Sequence, residues 1–199
     1  MRELRRRVKL GLGAAVALIV GSVAAPASAT VMVALGMGEL VARADEVFVG
    51  TVVGQSARWD DRGRIVTDVT FSVDESVKGA AHAGGTITIV RMGGAIGDLG
   101  MRIEGEPMFA DGERALVFAR RVGGPRGALR PVGMSQGVMP IQAGAQGAMV
   151  IPGGAGLTLT QQVTGGSLLP APAALTSPRL LDAVLSEVRS LVNEAPRAP

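Results

Sequence analysis

One stretch of the sequence, RIVTDVTFSVDESVKG at residues 64–79, restricts the possible folds more than any other. From Ile65 to Val73 apolar and β-branched side chains occupy every second position, and polar residues occupy most positions between them. A period of two predicts a β-strand with one buried and one solvated face. EVFVGTVVGQSARW at residues 46–59 has the composition of a partner strand, and Asp60 to Gly63 form a turn signal between them. We therefore expect a long antiparallel hairpin.

Further β-like segments extend this pattern, and helices are predicted at both ends of the domain. Leu35, Leu40 and Val41 suit a short helix before Asp45, and the apolar stripe from Leu180 to Val192 has helical spacing. We expect the second helix to dock on the β-domain, the alternative being a helix that binds a partner or a membrane surface. The glycine-rich turns between short strands suit a barrel or sandwich. The segments are TITIVRM, ERALVFARR, ALRPVGM, GVMPI, GAMVI and GLTLTQQV.

The expected fold is therefore mainly β: a small OB-like antiparallel barrel or sandwich with a short N-terminal helix and a C-terminal amphipathic helix. Shifts in composition divide the chain into segments. These are a signal peptide at 1–29, a β-barrel domain at 30–163, a linker at 164–176, the C-terminal helix at 177–192 and a tail at 193–199.

The first 29 residues have the pattern of a secretory signal. Basic residues from Arg2 to Lys9 precede an uncharged apolar run, and Ala27-Ser28-Ala29 has the small residues that a signal peptidase accepts. We expect cleavage after Ala29, by the general or the twin-arginine route, and a secreted or periplasmic location. The alternative is a leader that is kept as a membrane anchor, although the run is short for a span and diluted by glycine.

Charge and cysteine content narrow the function further. The leader holds five of the 20 Lys and Arg residues and one of the 17 Asp and Glu residues, so residues 30–199 carry 15 basic and 16 acidic residues, a net charge of −1. This balance argues against nucleic acid and against an anionic membrane as partners. The sequence contains no cysteine, so disulfides do not stabilise the fold.

The run GGAIGDLG at residues 93–100 raises the question of a phosphate site. It matches neither GxGxxG nor GxxxxGK[ST], and the following MRIEGEP is extended in character rather than helical. A phosphate cradle needs backbone N–H groups at the start of a helix. We predict that these glycines turn a corner between strands.

Catalytic and metal sites are weakly indicated. Glu104, Glu106, Asp111 and Glu113 are close in sequence and could hold calcium, but such residues are usually a solvated hairpin face. A zinc site is not expected, because His82 is the only histidine and thiols are absent. Ser135-Gln136-Gly137 fits a turn between strands better than a nucleophile loop. We predict no enzyme activity, no catalytic, metal or cofactor-binding residues and no cofactor, with a carboxylate-dependent hydrolase as the alternative.

The order of segments over residues 40–120 resembles a known family. A short helix, ADEVFVGTVV, a hairpin ending in VDESVKG, the strand TITIV, a glycine-containing bend and FADGERALVFA are similar to the netrin-like modules of the tissue metalloprotease inhibitors, which have an OB-type barrel. The matching positions are Lys78-Gly79 and Gly112 to Phe118. Those inhibitors place an N-terminal cysteine on the protease zinc, and this chain has no cysteine. The resemblance therefore implies the fold without the inhibitory mechanism.

The chain also resembles uncharacterised exported bacterial proteins with the signature GG…EG-x-P-x-F-x-x-GE. The positions that match it are Gly93, Gly94, Glu104, Gly105, Pro107, Phe109, Gly112 and Glu113. Taken together, the sequence predicts an exported, non-catalytic binding module whose partner is an envelope or secreted protein. The alternatives are the hydrolase and a structural protein without a discrete ligand.

Overall fold

The computed structural model describes residues 30–154, 157–162, 167–172 and 176–194, so the predicted signal peptide lies outside the described residues. Two helices and thirteen strands follow each other along this part of the chain, with a short 3₁₀ turn at Met134–Gly137. The helices are α1 (Met37–Arg43) and α2 (Leu181–Glu194). The strands are β1 (Thr30–Val33), β2 (Glu46–Trp59), β3 (Ile65–Lys78), β4 (Thr86–Met92), β5 (Gly94–Ile96), β6 (Leu99–Met101), β7 (Arg114–Val122), β8 (Ala128–Pro131), β9 (Val138–Gly144), β10 (Gly147–Val150), β11 (Leu157–Gln162), β12 (Leu168–Pro170) and β13 (Arg179–Leu180).

The predicted hairpin is confirmed as β2 and β3, which pair antiparallel from Val47 with Lys78 to Trp59 with Ile65. Its turn is held by Asp60, whose carboxylate accepts backbone N–H bonds from Arg62 (3.0 Å) and Arg64 (2.9 Å). The Arg64 guanidinium also binds this carboxylate, and together these bonds lower the pKa of Asp60 to about 2. Local side-chain bonds thus fix the turn that the sequence indicates.

The main sheet has the order β13-β10-β9-β7-β2-β3-β4, and β8 pairs with the far end of β7. Strands β4 and β8 come into contact although they do not pair with each other, so the sheet is strongly curled. Among the described residues the pairing does not close into a barrel, because β4 and β13 form its two edges. The mainly β prediction with two helices is confirmed, and the closed barrel is not observed.

The inner face of the curled sheet holds one of two apolar clusters. Phe71 on β3 lies edge-on to Phe48 and to Phe109, with ring centroids 5.5 Å apart in both pairs. Val69 and Ile89 are fully buried beside them. Phe109 belongs to the loop between β6 and β7. The loop is held against the sheet because this ring fills part of the core.

The second cluster lies between the sheet and the two helices. Val184 and Val188 of α2 are buried against Leu40 and Val41 of α1, so the C-terminal helix docks as predicted. The helix begins at Leu181 and not at 177, because Arg179 and Leu180 pair with β10 as β13.

The predicted linker at 164–176 is not wholly irregular. Residues 168–170 form β12, which pairs with β11, and β11 pairs in parallel with β1. Among the described residues no helix combines the length and the apolar character needed to cross a membrane.

The Lys78-Gly79 pair of the family resemblance has a structural role. The Lys78 ammonium donates to the backbone carbonyls of Val41 (2.8 Å) and Ala44 (2.6 Å) at the end of α1, where free carbonyls favour a cation. Gly79 has φ +100°, and a Cβ there would lie 2.1 Å from the buried Glu46 carboxylate. These residues join the helix to the sheet and do not form a ligand site.

Candidate functional site

The inner face of β4 ends in an arginine. Ile87 and Ile89 pack on the apolar cluster inside the sheet, and the period of two places Arg91 on the same face. Arg91 is only 8% exposed. An ionic side chain therefore occupies a position where the pattern of the strand calls for an apolar one.

The buried guanidinium of Arg91 is poorly satisfied by its surroundings. Its Nε is buried and has no hydrogen-bond partner in the part of the chain that the structure describes, and its Nη1 donates one long bond of 3.4 Å to the Met92 carbonyl. Burial lowers the pKa of Arg91, opposed by the charge of Glu106. Buried polar groups are nearly always hydrogen-bonded, so this unpaired group calls for an explanation.

Glu106 is the carboxylate whose charge acts on the pKa of Arg91. It lies in the loop after β6, and its Oε2 accepts a hydrogen bond of 3.1 Å from the Met92 N–H. Burial raises the pKa of Glu106, while that hydrogen bond and the charges of Arg130 and Arg91 act in the opposite direction. In the part of the chain that the structure describes, neither arginine reaches ion-pair distance from this carboxylate.

Arg91 and Glu106 line a cleft of about 460 Å³ at the end of the sheet. Ligand sites have volumes of this order, about 300–1,000 Å³. Its walls come from the end of β4, the β5–β6 hairpin, the loop that follows and the 3₁₀ turn. The apolar part of the lining is formed mainly by Met92, Met101, Ile103 and Met108. Ile103 and Met108 are also among the exposed large apolar side chains, Met108 at 68%.

The glycine run forms one wall of this cleft. β5 and β6 pair as a hairpin that turns at Gly97 and Asp98, so the predicted corner is confirmed. Gly93 has φ +87°, and a Cβ there would lie 2.5 Å from the Met101 carbonyl oxygen. The side chain of Thr67 donates a buried hydrogen bond of 2.7 Å to the Gly93 carbonyl. Since the run itself folds into the β5–β6 hairpin and does not lead into a helix, these glycines shape a wall and do not cradle a phosphate.

The acidic residues singled out in the sequence are not brought together. Glu104 pairs with Arg102 at 3.2 Å, Asp111 accepts a bond of 3.0 Å from Gln55, and Glu113 accepts the Ala110 N–H at 2.9 Å. Within the described ranges no three His, Cys, Asp or Glu side chains are grouped so that they could hold a metal ion. Of the four acids, Glu104 and Glu106 line the cleft.

The other polar candidates have separate places. Ser135 is buried in the 3₁₀ turn and lines the cleft, and its N–H donates to the Gly105 carbonyl at 2.8 Å. The neighbouring Gln136 accepts the Leu35 N–H at 2.8 Å, which ties the turn to the N-terminal segment. His82 is exposed in the loop between β3 and β4 and does not line the cleft.

A smaller cavity of about 180 Å³ lies beside α1 and α2. Its charged groups, Arg179 and Glu187, satisfy each other through an ion pair of 2.6 Å. It therefore offers no unpaired charge to a ligand, and the Arg91 cleft is the stronger candidate.

Searches against protein-family models, curated proteins and solved structures find no match to this chain. The resemblance to the netrin-like modules therefore stays a prediction. The site rests on geometry alone, and Arg91 was not among the candidate residues predicted from the sequence. The available signal was the arginine in TITIVRM, which shares a strand face with Ile87 and Ile89.

Proposed function

We propose that this protein is an exported, non-catalytic binding module with an OB-like curled sheet. It binds a component of the cell envelope or of the secreted fraction in the Arg91 cleft. The observation that carries the proposal is the buried Arg91, which lines a cleft large enough for a ligand and whose Nε has no hydrogen-bond partner among the described residues.

The energetic cost of Arg91 supports a binding role. A buried polar group without a hydrogen bond lowers stability by about 1–3 kcal/mol, judged from mutations in proteins. Residues that reduce stability are commonly those needed for function. An anionic ligand in the cleft would offset part of the cost of burying this charge, and this makes the cleft the favoured place for a ligand.

A carboxylate-dependent hydrolase is the second candidate, and Glu106 favours it. A carboxyl group in a cleft whose pKa is raised by burial is suited to act as a general acid. The other acid lining the cleft, Glu104, forms an ion pair with Arg102. The binding module is preferred because a paired-carboxylate mechanism needs a second free carboxylate.

A thermal-shift screen tests the proposed function. A chemically mixed panel of anionic, cationic and neutral small molecules is added to the wild type, to Arg91→Met and to Arg43→Met. Arg43 is a matched control, since it forms an exposed ion pair with Glu39 on α1. We expect compounds that raise the melting temperature of the wild type and of the control, but not of Arg91→Met.

Two results would go against the binding module. Compounds that stabilise Arg91→Met as strongly as the wild type would place their site outside the cleft. Turnover of ester, amide or glycoside test substrates that is lost in Glu106→Gln would replace the binding proposal with the hydrolase.

A further inference from the structure

We infer that the ligand of the Arg91 cleft is a monocarboxylate with an apolar body, whose carboxylate pairs with the Arg91 guanidinium. A fatty acid and a peptide C-terminus with an apolar last residue share this chemistry. The inference rests on the proposed function, because it names the class of ligand for the same site.

Arg91, the buried charged residue of the cleft, determines which charge the ligand carries. Arg91 offers N–H donors in a planar fork, and a carboxylate accepts two of them side by side. The Nε of this guanidinium is shielded from solvent and has no partner among the described residues, so the charge is incompletely compensated without a ligand. A ligand cation is disfavoured beside a buried guanidinium, because it would meet a like charge in a poorly hydrated place.

The neighbouring charges favour one negative charge over two. Arg91 and Arg130 act on Glu106, and with Glu106 ionised the three groups sum to a single positive charge. One carboxylate neutralises that sum, whereas a phosphate dianion would leave an excess negative charge next to Glu106. The rim groups Arg102 and Glu104 pair with each other and do not change this balance.

The apolar side chains that line the cleft determine the character of the uncharged part of the ligand. Met92, Met101, Ile103 and Met108 line the cleft, and the flexible thioether side chains can adapt to apolar groups of irregular shape. Apolar walls around an ionic floor match a ligand with one charged end and an apolar body. The Met108 side chain, 68% exposed, would lose contact with water if such a body lay against it.

Methionine-methyl NMR can test this inference at the level of single residues. The protein is labelled with ¹³C at the methionine methyls, and the signals are assigned through Met→Leu variants. It is then titrated with decanoate, decanol, inorganic phosphate and the peptide Ala-Ala-Leu as free acid or amide. Met92, Met101 and Met108 report on the cleft, whereas Met37 and Met139 line the smaller cavity and serve as internal controls.

We expect decanoate or the free-acid peptide to shift the three cleft signals, and decanol and the amide to have little effect. Arg91→Met should weaken this binding by about 10- to 100-fold, the loss of a charge-assisted hydrogen-bonded pair. Arg91→Lys keeps the charge without the fork and should bind with intermediate strength. Arg43→Met should bind like the wild type. Unchanged Met37 and Met139 signals in each variant show that it is folded.

Which probe binds identifies the source: decanoate alone indicates a lipid-derived acid, and the peptide alone a chain terminus. Equal binding of decanol, or unchanged decanoate binding in Arg91→Met, overturns the inference. Phosphate that shifts the cleft signals through Arg91, without the carboxylates, overturns the ligand class and leaves the binding module in place. The absence of any shift also overturns the inference, and the mixed panel then decides the proposed function separately.

Discussion

Replacing Arg91 with methionine should make the protein more stable. Methionine and arginine both have unbranched side chains, so the methionine can follow the path of the arginine along the inner face of β4. The change removes a buried guanidinium whose Nε lacks a partner among the described residues and whose bond to the Met92 carbonyl is long at 3.4 Å. It extends the apolar face that begins with Ile87 and Ile89.

The expected gain in the free energy of unfolding has two parts. Removing an unsatisfied buried polar group is worth about 1–3 kcal/mol. Part of this is offset, because Glu106 loses the favourable charge of Arg91. A net gain of about 1–2 kcal/mol corresponds to a rise in Tm of about 2–8 °C for a chain of this size. The double variant Arg91→Met/Glu106→Gln avoids the offset and should gain more than Arg91→Met alone.

Thermal and urea unfolding followed by circular dichroism would measure this gain at neutral pH without ligand. Arg43→Met should change stability very little, since an exposed ion pair within a helix contributes about 0.3–0.5 kcal/mol. A clear decrease in Tm for Arg91→Met, with the same circular dichroism spectrum, would mean that Arg91 stabilises the fold. A ligand would then not be needed to explain why an arginine occupies this position.

Two further predictions concern the core and the pH dependence. Phe71→Ala should lower the free energy of unfolding by about 3–5 kcal/mol, because it removes the ring shared by Phe48 and Phe109; an unchanged urea midpoint would contradict the assigned inner face of β3. Burial raises the pKa of Glu106 above its usual value of 4.5, so its contribution to stability is full below that pH and is lost as the pH rises through the raised value. Glu106→Gln should flatten this part of a plot of Tm against pH from about 4 to about 8, and an identical slope in wild type and variant would show that Glu106 is not responsible.

The β2–β3 hairpin, the glycine corner and the apolar face of α2 could be predicted because each depends on short-range pattern. Alternation from Ile65 to Val73 fixes which face of β3 is buried, whatever packs against it. The pairing of β1 with β11 could not be predicted in this way, because it joins Thr30 to Leu157 and no local pattern selects the partner.

Arg91 shows the same limit within the site. The sequence TITIVRM predicts a strand, but which of its faces is buried depends on how the sheet curls and on the loop that carries Glu106. Phe109 is a related case, since a loop residue became part of the core through contact with Phe71. Periodicity describes one strand at a time, and a cleft is made by elements that meet in space.

The contact between α1 and α2 also bears on the order in which the molecule can assemble. The apolar cluster around Leu40 is completed by Val184 and Val188, which come near the other end of the described chain. The β2–β3 hairpin can form from nearby residues, but this cluster is incomplete until α2 has docked. Contacts between residues so far apart in sequence slow folding. Until they form, apolar surface stays open to association with other chains. The docking of α2 thus completes the core, and it also closes the period during which this apolar surface is most exposed to misassembly.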